Sequence, residues 1–113
     1  MRLRLIARRS AVDVRREALV QLRSVIVTAP ESLRHELRRL PLGRLLDRCS
    51  RRRSASSTPD ELAVRLVLRS LARRVQAATV EAAELEDEIL AHLRALAPAL
   101  LDEPGVGRSS PPN

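Results

Sequence analysis

His35-Glu36-Leu37-Arg38-Arg39 opens like the helix of a zinc protease, in which two histidines four residues apart hold the metal and the intervening glutamate works on its bound water. Arg39 stands where the second histidine is needed, so the pattern fails and His35 reads as a surface residue of a helix. His92 falls on an apolar helical edge, where a polar side chain fixes register. No partner at a suitable spacing would make it a general base. Glu84, Glu86, Asp87 and Glu88 point around a helix rather than converge on one metal, which is the pattern of a solvated face. Ser54, Ser56 and Ser57 lack an activating base nearby. Cys49 is the only cysteine, so one chain can build neither a disulfide nor a cysteine-rich metal site. These residue types form no catalytic constellation, and the chain is expected to work without a cofactor of its own.

Two other groups have the chemistry to hold phosphate. Gly105 and Gly107, in Pro104-Gly105-Val106-Gly107, read as a turn of the helix-hairpin-helix kind, in which backbone N–H groups would approach a phosphate without obstruction. Arg8, Arg9, Arg15, Arg16 and Arg23 make a basic flank on the first helix, and Arg51, Arg52 and Arg53 cluster further on. No aromatic residue is present to stack on a base, so binding through these groups would be to the backbone and would weaken steeply with salt.

The composition supports that emphasis and narrows the fold. In 113 residues the formal net charge is +7, and every one of the 21 basic residues is Arg. A GC-rich coding sequence accounts for Arg in place of Lys but not for the excess of positive charge. The hydrophobic fraction is 44% while the aromatic fraction is 0%, so the apolar side chains are nearly all Leu, Val and Ala. Such residues suit helix-on-helix seams better than a thick core. No stretch approaches the ~20 apolar residues of a membrane span, and the Arg-rich start has no apolar signal-peptide core, so a cytoplasmic setting is expected.

The elements that must position these groups are helices. Ala7, Ala11, Val14, Ala18, Leu22 and Val25 recur at steps of three and four, which predicts an amphipathic helix from about Arg2 to Thr28, ended by Pro30. Glu31 to Leu40 and Leu42 to about Arg52 read as two short helices parted by Pro41. Residues 53–58 read as a linker. Thr58-Pro59-Asp60-Glu61 is a capping signal, and it starts a seam: Val64, Leu68, Leu71, Val75, Ala78, Ala82, Leu85, Ile89, His92 and Leu96. That spacing predicts one long coiled-coil-like helix over 59–97, with residues 98–113 as a short helix, the glycine turn and a polar tail. The apolar edge must lie against another helix, either the Arg2–Thr28 segment or a second copy. Arg65, Arg69, Arg73 and Arg74 precede the acidic Glu81, Glu84, Glu86, Asp87 and Glu88, and this change of sign favours an antiparallel partner. The seam from Leu68 to Ile89 is accordingly expected to dimerise the chain.

The order of segments resembles the middle of bacterial insertion-sequence transposases of the DEDD family (IS-one-ten). The resemblance runs from about Ile6 to Gly107 and rests on Val27-Thr28-Ala29-Pro30-Glu31 and on Glu103-Pro104-Gly105-Val106-Gly107. It implies an all-helical region between a RuvC-like domain, which carries four acidic residues for Mg²⁺, and a C-terminal domain that supplies a nucleophilic serine. It also implies DNA and a guide RNA as partners. Neither catalytic set has a counterpart here, and Arg108-Ser109-Ser110-Pro111-Pro112 stands where the family continues with an apolar helix. The expectation is therefore an elongated all-α fragment of a transposase, catalytically inactive, that supplies dimerisation and nucleic-acid-binding helices for insertion-sequence transposition. The competing expectations are a free-standing helical interaction protein and a small basic RNA- or DNA-binding protein.

Overall fold

The structure is a computed structural model that describes residues 1–51 and 58–102, with the side chains of 99–102 left aside. It is all-helical, in the order α1 (Arg2–Thr28), α2 (Glu31–Arg38), α3 (Leu42–Ser50) and α4 (Pro59–Asp102), with no strand among the described residues. The body is elongated, 70 × 29 × 19 Å. At ~1.5 Å per residue, α4 alone is about 66 Å long and sets the long axis.

Local chemistry places the helix ends. Ala29 is extended, at φ −69° and ψ 157°, because the ring of Pro30 disfavours a helical residue before it. Pro30 and Pro41 each lead into a short helix, where a missing N–H leaves no internal bond unmade. Thr58 Oγ1 accepts the Glu61 N–H at 3.2 Å and caps α4. The Glu61 carboxylate accepts from Ser32 Oγ at 2.9 Å, which ties the start of α4 to the start of α2. The β-branched run Val25-Ile26-Val27-Thr28 stays helical, since Ile26 is buried and Thr28 Oγ1 donates to the Val25 carbonyl. At the other end, α4 continues through Pro98 to Asp102 rather than stopping near residue 97. Proline removes one i→i−4 bond, and the surrounding Ala and Leu are strong enough helix formers to carry the helix past it.

α1 runs antiparallel to α4, as three contacts with falling partner numbers require: Arg4 to Glu88, Arg8 to Glu86 and Arg15 to Thr79. The basic start of α1 thereby lies on the acidic second half of α4. Small residues are buried on both helices, Ala11 and Ala18 on α1 and Ala78 on α4, and a small side chain lets helix backbones approach closely.

The two ends of this pair differ. At one end α2 packs on α1 and α3 packs on α4, and the four helices share a core in which Leu22, Leu33, Leu37, Leu68 and Val75 are fully buried. Towards Met1 and Ile89 the body thins to two helices. α4 then runs on past the start of α1, and Leu93 and Leu96, on the same apolar edge, are 50% and 46% exposed.

Candidate nucleic-acid interface

The arginines of α1 fall into two sets that the docking of α4 separates. Arg8 reaches Glu86 at 3.1 Å, and Arg15 Nε donates to Thr79 Oγ1 at 2.9 Å, so both face α4. Arg9 and Arg16 lie on the outer side and are exposed. With Arg2 and Arg23, also exposed, they form a row at seven-residue intervals, which on a helix runs almost parallel to the axis. Successive members are ~10.5 Å apart and the row is about 31 Å long. Arg16 meets Asp13 at 3.4 Å, with both side chains more than half exposed. Arg2, Arg9 and Arg23 have no ion-pair partner among the described residues. Arg2 escapes a reading based on clusters; its signal is the heptad spacing to Arg9.

Arg51 lies outside this row and pairs with Asp47 at 2.6 Å, one turn back on α3. Arg52, Arg53, Gly105 and Gly107 lie outside the described residues, as do Ser54, Ser56 and Ser57.

The seam residues of α4 face α1 and α3. Leu68, Leu71, Val75, Ala78 and Ile89 are buried within one chain, and Ala82 and Leu85 are half-buried. His92 is half-buried where the seam runs past the start of α1. Glu84, Glu86, Asp87 and Glu88 are all exposed, and of these Glu86 and Glu88 hold Arg8 and Arg4. Among the described residues, no three His, Cys, Asp or Glu side chains come together as a metal-binding group. No described helix is long and apolar enough to cross a membrane.

The failed zinc-protease string has a structural use. His35 is exposed, while the Glu36 carboxylate takes Arg48 of α3 at 2.7 Å and Arg65 of α4 at 3.6 Å, so that one side chain links three helices. Cys49 lies against this group and is only 7% exposed. Burial pushes its thiol up from 9.0 to about 11; Arg65 and Arg48 pull the other way, and Glu36 adds to the rise. A thiol so far from ionising is a packing group at neutral pH, not a nucleophile.

A cleft of about 350 Å³ opens between α1, α2 and the start of α3. Its floor is aliphatic, with Ile26, Leu37 and Leu45, and its rim carries Arg23, Arg34 and Arg38. Arg34 is held in place by the Val27 carbonyl, at 3.3 Å, and by Glu31.

The described residues thus offer an outer basic row and an Arg-rimmed cleft on a helical frame. Comparison of the chain with protein-family models, curated proteins and solved structures finds no match.

Proposed function

We propose that this chain is a non-catalytic helical module that holds nucleic acid by its phosphates, in the manner the transposase resemblance implies for a region between two catalytic domains. The observation that supports this reading is the row Arg2, Arg9, Arg16 and Arg23: four exposed guanidinium groups on one side of α1, facing away from α4. Along a duplex, whose phosphates rise ~3.4 Å per step on each strand, a row about 31 Å long spans about nine steps. Arg8 and Arg15 support the same face indirectly, by fixing α1 on α4.

The test is binding of a duplex DNA and of a single-stranded RNA across a salt series. Four phosphate contacts give a log–log slope of about −3.6 on duplex DNA. Arg9→Gln combined with Arg16→Gln is expected to reduce that slope by about 1.8 and to lower affinity for every sequence alike. Arg8→Gln is expected to leave the slope unchanged. Undetectable binding at low salt, or an unchanged slope in the double variant, overturns the reading.

A second copy of the chain is proposed as partner only where the seam outruns α1. From Leu68 to Ile89 the seam lies against α1 and α3, so a homodimer would form through the stretch of α4 bearing Leu93 and Leu96.

A further inference from the structure

The Arg-rimmed cleft differs in kind from the outer row. A phosphate-binding surface needs charge alone, whereas this cleft sets charge over an aliphatic floor. Ile26, Leu37 and Leu45 are the buried members of its lining, which is mostly apolar, and no carboxylate lines it. Its volume of about 350 Å³ lies at the small end of ligand sites, about 300–1,000 Å³, which combine apolar walls with a few converging polar groups.

The three arginines are not equivalent. Arg34 is immobilised, with Nη1 on the Val27 carbonyl and Nη2 on Glu31, and its Nε is sealed from solvent with no acceptor. It forms a fixed wall. Arg23 from α1 and Arg38 from the end of α2 have no ion-pair partner among the described residues, yet they share this rim. Two free guanidinium groups at the mouth of an aliphatic slot are complementary to one ligand chemistry: an anionic head that accepts charge-assisted hydrogen bonds, carried on a flexible apolar tail.

We infer that the cleft binds a medium-chain aliphatic carboxylate of about eight to ten carbons, with its tail on Ile26, Leu37 and Leu45 and its carboxylate between Arg23 and Arg38. The absence of aromatic residues from the whole chain makes an aliphatic tail a better match than a ring. Arg2 and Arg9 do not line the cleft, so this site is separable from the nucleic-acid row even though Arg23 belongs to both.

The test uses the full chain, titrated below the micelle concentration with octanoate, decanoate and decanol. Binding is followed by calorimetry and by the methyl NMR signals of Ile26 and Leu45. Decanoate is expected to bind one-to-one, about 15-fold more tightly than octanoate, since each buried methylene contributes about fourfold. Decanol, and decanoate with the Arg23→Gln/Arg38→Gln variant, are each expected to bind at least tenfold more weakly, since hydrogen bonds to charged groups are the strong ones. The Arg9→Gln/Arg16→Gln variant is expected to bind decanoate as the unaltered chain does, whatever happens to its nucleic-acid affinity. Equal binding of decanol and decanoate, methyl shifts elsewhere on the surface, or no saturable binding each overturns the assignment. So does displacement of the Ile26 and Leu45 signals by an acidic leucine-bearing peptide when decanoate leaves them unmoved.

Discussion

Cys49 gives this protein an unusually clean titration at high pH. The chain has no Lys and no Tyr, and Arg remains charged, so between pH 9 and 11 its thiol is the one side chain that ionises. In the unfolded chain the thiol loses its proton near 9.0, and in the fold near 11. The folded pKa is raised, so the stability contributed by the buried neutral thiol is fully present below pH 9. It is lost as pH rises towards 11, because there the unfolded chain releases a proton that the fold retains. Two pKa units correspond to a limiting loss of about 2.7 kcal/mol, of which about 2.3 is reached by pH 11, at a slope that stays below about 1.4 kcal/mol per pH unit. With a typical domain stability of about 5–15 kcal/mol, that loss is large enough to measure. Urea unfolding followed by helical circular dichroism, at pH 7, 9, 10 and 11, is expected to show it. Cys49→Ala is expected to be less stable at pH 7 but nearly flat from pH 9 to 11. Glu36→Gln leaves Arg65 and Arg48 unopposed beside the thiol, so its pKa should fall and the alkaline loss shrink. Parallel curves for the unaltered chain and Cys49→Ala would refute the reasoning outright.

Leu22→Ala, at the centre of the four-helix end, is expected to cost about 2–5 kcal/mol in urea unfolding, against less than ~0.5 for Leu3→Ala, whose side chain is 80% exposed. Sedimentation equilibrium at high concentration is expected to show association that Leu93→Asp abolishes without loss of helicity; a monomer at every concentration removes the second copy as a partner. Amide exchange near Met1 and Glu88 is expected to quicken with salt, since Arg4–Glu88 and Arg8–Glu86 are exposed pairs that ions screen. Exchange there that ignores both salt and Arg8→Gln would show the pairs to be incidental. The purified chain with Mg²⁺ is expected to leave supercoiled DNA intact, and nicking lost on mutation of its own residues would end the non-catalytic reading.

The helices and the buried edge of α4 can be read directly from spacing, because Leu68, Leu71 and Val75 repeat at helical intervals whatever covers them. Periodicity states that an apolar edge must be covered, and leaves open by which helix. That choice rests on long-range packing of Ala11 and Ala18 against α4, which no local pattern contains. The same limit divides the arginines. Arg8 and Arg9 are neighbours in sequence, yet about 100° apart around the helix, so the position of α4 alone decides which one meets Glu86. Glu61 has the spacing of a capping box, but Ser32 arrives from 29 positions away and takes its carboxylate. The cleft joins α1, α2 and α3, and its two free arginines, Arg23 and Arg38, become a pair only when those helices meet.

The antiparallel packing of α1 on α4 also shapes how this chain must fold. Helical proteins usually fold fast because their contacts are local. Among the described residues the most extensive helix pair is α1 with α4, and Arg4 meets Glu88 across 84 positions. During synthesis at about 5–20 residues per second, α1 waits several seconds for its partner. Through that interval Ala18, Leu22 and Ile26 have no α4 to cover them, and α2 with the nearby leucines is their one local shelter. Nucleation is therefore expected at the four-helix end, where Leu22, Leu68 and Val75 belong to one buried core, with the two-helix end closing last like a zip.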